Sequence, residues 1–307
     1  MKVRNFLFHR VSPFRDQLWD PMSVELFGKC IAYISSKYQI TTIENLLSID
    51  FKKTKVEYAT ISFDDGYKDN IEYALPILNK YKVKASFYVV TDCIENNEPT
   101  WTHILEFLFQ NSSNSKISLN FDFLPVDLRI NQLIDLHAKI AYVKKLKPYL
   151  KKLSSDERKL VMNEIKVSFN DVRLPEIMMN WDDLKTLMSF GHIIGSHSVT
   201  HNMLGTITDI NELKSELEKS AQIITNKLGV SPIAISYPVG SYNEDVIKLS
   251  KLAGYKLGLA VKQEIFIPGN YSLFEIPRIE LYNESWWKTK LRISNRLEDI
   301  KKIIKYR

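Results

Sequence analysis

Cysteine is nearly missing from this chain. Cys30 and Cys93 are the only two in 307 residues, and they form neither a disulfide framework nor a Cys-x-x-Cys motif, so a reducing compartment is expected. Long apolar runs are missing as well. No stretch approaches the ~18 consecutive apolar residues that a membrane-spanning helix requires. The first ten residues lack the apolar core of a secretory leader, because His9 and Arg10 interrupt it. A cytoplasmic location is the expectation. There is no internal repeat, no long low-complexity segment and no recognised nucleic-acid-binding motif.

What remains is ordinary for a globular protein: 45% apolar and 25% charged residues, in a length that suits a single α/β barrel. The formal charge of +6 is unevenly placed. From Lys288 to Arg307 eight Lys or Arg stand against Glu298 and Asp299, which equals the net charge of the whole chain. A solvated terminal helix accounts for this basic tail. The sharper alternative is attraction to anionic lipid head groups or to a phosphorylated substrate, at ~1 kcal/mol per basic residue near a membrane.

Apolar periodicity predicts strands at 3–11, 58–63 and 85–90, with helices at 23–38 and 70–80 between them and a short helix from 41 to 47. Strand, helix, strand at this spacing indicates a largely parallel sheet. The order breaks after Val90. Residues 95–177 read as an inserted helical subdomain, with helices at 102–109, 133–150 and 156–168 and a β excursion at 116–123. A connection this long far exceeds the usual ~4–6 residues. Following a strand's carboxyl end, it belongs on the face where such barrels carry their sites, as a lid or a dimerisation element. Helices at 181–190, 209–228 and 244–252 and strands at 192–195, 233–237, 255–261 and 274–281 resume the pattern. The expected domains are a discontinuous barrel (1–94 and 178–287), the insertion (95–177) and the tail (288–307).

Two stretches carry chemistry. Ile61-Ser62-Phe63-Asp64-Asp65-Gly66-Tyr67 places adjacent carboxylates at a strand's end. Alone this is a common turn, yet two neighbouring buried acids raise each other's pKa and call for a cation or a proton. Neighbours on a strand point opposite ways, so a turn at Gly66 is needed to bring both to one place. Some 130 residues on, His197 and His201 are four apart, a spacing that puts both imidazoles on one face of a helical turn. With Asp65 they make two nitrogens and a carboxylate, a ligand set with positions left open, while Asp64 stays free as a base.

These residues resemble the polysaccharide deacetylases of the NodB-homology type, carbohydrate esterase family 4. Ile61–Tyr67 is similar to the family's first motif, Trp181-Asp182-Asp183-Leu184 through Gly191–His201 to its second, and Ser236-Tyr237-Pro238-Val239-Gly240-Ser241-Tyr242-Asn243 to its third. The resemblance implies a distorted (β/α)7-type barrel that removes N-acetyl groups from amino sugars with a divalent metal. It makes Asp64 the base, Asp65, His197 and His201 the metal ligands, and the Tyr237 backbone N–H an oxyanion donor. Zn²⁺ is the default ion, with other divalent first-row metals as alternatives. The implied partner is an N-acetylated saccharide, or a lipid-linked or nucleotide-linked precursor.

Two features depart from the family pattern. The third motif lacks an arginine to steady the base, and Arg278 on the last strand either supplies that charge or makes a rim salt bridge. The late Leu-Leu-His motif is also missing, since no histidine follows His201. His9, near the end of the first strand, is the leading replacement as proton donor, with a structural role as the alternative. His192 reads as structural, and His103 and His137 are given no chemistry. Trp101, Tyr88, Trp286 and Trp287 are open to sugar stacking but read by default as core. The rival functions are deformylation of a lipid-linked amino sugar and non-catalytic carbohydrate binding on the same fold.

Overall fold

The computed structural model describes residues 2–297. The chain begins with β1 (Val3–Phe8), α1 (Val24–Lys37), β2 (Gln39–Thr41), β3 (Tyr58–Phe63), α2 (Leu75–Lys80) and β4 (Ser86–Val89). Next come α3 (Thr91–Asn96), α4 (Trp101–Asn111), β5 (Lys116–Ser118), α5 (Val126–Arg129), β6 (Ile130–Gln132), α6 (Leu136–Leu150) and α7 (Ser155–Ser168). The remainder is α8 (Trp181–Ser189), β7 (Ile193–Ser196), α9 (Ile210–Leu228), β8 (Ala234–Ser236), α10 (Glu244–Leu252), β9 (Leu257–Leu259), β10 (Ile279–Glu280) and α11 (Trp286–Ile293).

The parallel sheet runs β10-β1-β3-β4-β7-β8-β9. β9 and the chain entering β10 meet at an isolated parallel bridge between Leu259 and Ile276, so the sheet curls most of the way round into a distorted barrel. Its distortion starts at β3. β2 pairs with residues 58–60 of that strand, and β4 takes over the same edge at Ser62 and Phe63. The extra strand β2 occupies the start of the predicted helix at 41–47, which shrinks to a 3-10 turn at Glu44–Ser48.

Both faces of the barrel strands are buried, which explains their near-continuous apolar runs. Outside, Phe8, Phe63 and Phe87 stack across three neighbouring strands, with centroids 5.5 and 4.8 Å apart, under a layer that includes α1, α2 and α8. Ser23 caps α1, its Oγ accepting from Leu26 N at 3.2 Å. Gly229 ends α9 in the left-handed conformation.

The insertion has an apolar cluster of its own, centred on residues such as Leu105, Phe109, Leu146, Ile165 and Phe169. The β excursion is a short antiparallel pair of β5 and β6. Leu133 N still donates to Ser115 O after β6, which delays α6 to Leu136. Within the described part of the basic tail, Lys288 and Arg292 pair with Glu284 at 3.0 and 2.8 Å, and Lys290 lies over Trp286. The rest of that tail, from Glu298 on, lies outside the described residues.

Candidate metal and catalytic site

Strand parity places the first acid. Ala59, Ile61 and Phe63 join the outer apolar layer. The alternate residues turn inward: Thr60 donates to Asn5 Oδ1 at 2.9 Å and Ser62 to the Phe6 carbonyl at 3.0 Å. Asp64 keeps that inward parity. Asp65 would point away, but it takes φ +75° and Gly66 φ +93°, and the two left-handed residues swing its carboxylate back to the same cavity. A Cβ at Gly66 would also meet Ile94 Cδ1 at 2.9 Å. The turn expected of Gly66 alone is therefore shared with Asp65.

Arg278 comes from the chain entering β10 and meets Asp64 face to face, with Nη1 to Oδ1 at 2.8 Å and Nη2 to Oδ2 at 2.7 Å. Ser236 Oγ donates to Asp64 Oδ2 at 2.8 Å and lies 2.7 Å from Arg278 Nη2. Both partners are essentially out of solvent, so this pair is no rim salt bridge. Burial would raise the Asp64 carboxyl, but the Arg278 guanidinium and the nearby His197 outweigh it and hold it below the usual carboxylate range.

The two histidines are not on a helix. Residues 197–201 form a loop after β7 in which Ser198 has φ +68° and His201 φ +58°. The expected helical turn fails because the backbone amides here are spent on side chains instead. The buried Glu216 carboxylate of α9 accepts from Val199 N at 2.9 Å, Thr200 N at 3.0 Å and Thr200 Oγ1 at 2.6 Å. Ser198 Oγ accepts from His201 N at 3.1 Å. The loop still brings the imidazoles together, with centroids 5.1 Å apart. His197 Nδ1 contacts Ser236 O at 2.8 Å, so Nδ1 carries the proton and Nε2 presents a lone pair.

The Nε2 atoms of His197 and His201 each lie 3.3 Å from Asp65 Oδ1. Yet this buried oxygen has no hydrogen-bond partner among the described residues. Two imidazole nitrogens and an orphaned carboxylate oxygen, all within 4.8 Å of one another, fit a divalent cation. Burial opposes ionisation of Asp65, and the facing histidines still hold it well below the carboxylate range. His201 is pushed down by burial, which favours the neutral imidazole that a metal requires.

These groups open into a cavity of about 170 Å³ lined also by His9, Trp19, Thr102, Glu106, Lys147, Lys151, Val239, Val261 and Glu280. His9 thus stands with the acid pair. Its Nδ1 is 3.4 Å from Glu280 Oε1, its ring meets Trp19 edge-on at 5.4 Å, and its carbonyl accepts from Asn70 Nδ2 at 2.7 Å.

Tyr237 does not serve as expected. Its N–H donates to Leu259 O at 3.1 Å within the sheet and its hydroxyl to Phe274 O, so neither reaches the cavity. Val239, two residues on, lines the cavity with φ +56°, and no acceptor is found for its N–H among the described residues. Among the described residues, four of the seven non-glycine positive-φ positions (Asp65, Ser198, His201 and Val239) belong to this site, a concentration of backbone strain typical of functional sites.

His192 is structural, accepting from Ala85 N through Nδ1 at 3.1 Å. His103 is buried beside Tyr67 and Trp19, and His137 is exposed. Of the proposed stacking aromatics, Tyr88 is buried and bonded to Glu44, and Trp286 packs edge-on against Tyr33. Trp101 donates Nε1 to His201 O at 3.1 Å and braces the metal loop, while Trp287 stands exposed. Trp19, Ser236, Val239, Glu280 and Glu216 were missed in the sequence. Apart from the third-motif residues Ser236 and Val239, no local pattern marks them.

Comparison with known proteins agrees with this geometry. The polysaccharide deacetylase family profile matches residues 51–258. A Bacillus subtilis protein named as a polysaccharide deacetylase, YxkH, is 21% identical over 218 residues, 71% of this chain. The chain spans about half the length of that relative. The Streptococcus pyogenes deacetylase PplD, solved in complex with acetate, superposes with a TM-score of 0.62 at 17% identity, covering 97% of each chain. A de-N-acetylase from Aggregatibacter actinomycetemcomitans gives 0.63 at 14% identity, over 95% of this chain and 100% of that one. At such identities these likenesses establish a shared α/β fold with a curled parallel sheet. The profile match, spanning most of the chain, establishes more: the chain belongs to the polysaccharide deacetylase family.

Proposed function

We propose that the protein hydrolyses an N-acetyl group on an amino sugar of a polysaccharide or of its precursor, releasing acetate. The observation that carries this reading is the division of labour between adjacent acids. Asp65 faces two imidazole nitrogens as a ligand set, while Asp64 is locked apart from it by Arg278 and Ser236.

Asp65, His197 and His201 would hold a divalent ion, Zn²⁺ by default, which when bound polarises the amide carbonyl and lowers the pKa of water. Asp64, kept ionised by Arg278, takes the proton of the attacking water on its carboxylate. The Val239 N–H, aimed by its left-handed backbone, takes the oxyanion role first expected of Tyr237. His9, steadied by Glu280, delivers a proton to the departing amine nitrogen. Trp19 packs against His9 and narrows the cavity around it.

We extend the proposal to a cytoplasmic, lipid-linked or nucleotide-linked substrate, with the basic tail toward anionic lipid. No described helix is long and apolar enough to cross a membrane. Co-sedimentation with anionic but not neutral liposomes is the expected result, and the reverse preference would count against this extension.

The central test is acetate release from a panel of N-acetylated saccharides by the metal-loaded protein, the chelated protein and Asp64→Asn. Acetate from the loaded wild type alone is expected. Formate in place of acetate, from N-formylated analogues only, would move the activity to deformylation. Saccharide binding with neither product would favour the non-catalytic reading.

A further inference from the structure

The insertion closes one wall of the active-site cavity with Thr102 and Glu106 from α4, Lys147 from α6 and Lys151 just past its end. Most charged groups around this cavity face a partner. Asp64 is met by Arg278, Glu106 by Lys147 at 2.5 Å, and Glu280 faces His9. Asp65 faces the two histidines of the ligand set. Of the two lysines on the wall, Lys147 is paired, but among the described residues no carboxylate lies within ion-pair distance of Lys151. It is half-buried, and burial and the neighbouring Lys147 both push its ammonium down, against the pull of Glu106 and Glu280.

The larger cavity nearby, of about 270 Å³, differs in this respect. Its cations are engaged: Lys159 with Glu212, Lys166 with Glu98, and Arg158 with the Leu153 carbonyl at 3.1 Å and with Asn202. A half-desolvated ammonium left unpaired is unfavourable unless a ligand supplies the counter-charge. The lining carboxylates Asp64, Asp65, Glu106 and Glu280 outnumber Lys147, Lys151 and the adjoining Arg278 by one formal charge, and a divalent cation held opposite reverses that balance, so an anionic ligand group then fits the cavity better than a neutral one.

We propose that Lys151 binds an anionic group of the substrate, a phosphate or a carboxylate carried by the saccharide, against the insertion's wall of the active-site cavity. The inference rests on the deacetylase reading for the identity of the saccharide but not for the anion site itself. On this account the insertion is a specificity element. It selects acidic or phosphorylated amino sugars by supplying one cation the barrel does not have.

The test is equilibrium binding to the metal-loaded protein of three probes: N-acetylglucosamine, N-acetylglucosamine 1-phosphate and N-acetylmuramic acid. Wild type should bind at least one charged probe about tenfold more tightly than the neutral sugar, the scale of one charge-assisted hydrogen bond. Which charged probe gains identifies phosphate or carboxylate. Lys151→Met should erase that gain, and Lys151→Arg should keep most of it, with metal content and melting temperature unchanged in both. Equal affinity for all three probes in wild type overturns the proposal. So does a preference that survives Lys151→Met, which would place the anion on the metal or elsewhere. Loss of turnover alike on neutral and charged sugars in both variants, with binding unaltered, would make Lys151 a proton donor and overturn it too. Acetate is measured in parallel. Preferential binding without acetate release defeats the deacetylase reading alone, and acetate release without preference defeats the anion site alone.

Discussion

The mouth of the barrel and the helical insertion are built on different principles. The insertion is held by apolar periodicity: Phe109 and Phe169 meet edge to face at 4.6 Å inside a closed cluster, and α7 opens with a Ser154–Glu157 capping box. The barrel mouth is held by buried polar bonds between separate elements, such as Asp64 with Arg278, 214 positions on, and the histidine loop with Glu216 of α9. Left-handed residues there add strain. Apolar cores tolerate approximate packing. A buried charge without its partner does not tolerate even a single deletion. The two regions should therefore fail differently.

The sharpest way to break the comparison is Arg278→Met. Stranding Asp64 in the barrel should cost ~3–5 kcal/mol of stability, and acetate release should fall by at least ~100-fold as the base loses its ionised state. Denaturant unfolding and initial rates measure the two losses, and Arg278→Lys should recover part of the stability. Near-normal activity in Arg278→Met would remove the guanidinium from the account. Phe109→Ala should cost a similar ~3–5 kcal/mol, but as loosening of the insertion. Hydrogen exchange should rise in α4, α6 and α7 while metal content stays at the wild-type level.

Next in size is Glu216→Gln. The carboxylate accepts two amides and a hydroxyl of the histidine loop, so metal affinity should drop ~10–100-fold, as is usual for residues that orient ligands. Competition with a chelator reads this directly, and an unchanged affinity would show that the loop holds itself.

The smallest effect is shared by both regions. His103 in the insertion and His192 in the barrel are each pushed down to about 4 by burial. The unfolded chain binds protons at these histidines near pH 6.5, and the folded chain does not. Their contribution is therefore complete above that pH and is lost as pH falls toward 4. Asp69, pushed up to about 6 chiefly by burial, works in the opposite sense over the lower part of that window and offsets some of the loss. A melting temperature that declines from pH 7 to pH 4.5, with a shallower decline in His192→Gln, is expected.

Legibility in the sequence follows the same division. The barrel strands other than β2 and all three long insertion helices were readable, because burial imprints a period that survives as residue type. Asp64, Asp65, His197 and His201 were readable because acids and histidines are costly to bury and stand out. The geometry that joins them was not. Four-residue spacing suggested a helix at 197–201, whereas the amides there belong to Glu216, a residue that looks like any helix-surface acid in sequence. The Tyr237 backbone N–H was expected at the cavity because the resemblance points to a tyrosine in that motif, whereas folding spends it on the Leu259 carbonyl, which residue type does not reveal. Lys151 was invisible for a related reason, since only folding reveals which basic residue lines the cavity with no carboxylate in ion-pair contact.

The central claim is that adjacent carboxylates have separate duties, and one paired measurement tests it most directly. Bound divalent metal per chain and acetate release should be determined together for wild type, Asp64→Asn and Asp65→Asn. The account predicts that Asp64→Asn keeps its metal and loses acetate release, while Asp65→Asn loses both. Retention of metal by Asp65→Asn, or its loss from Asp64→Asn with the fold intact, would contradict it.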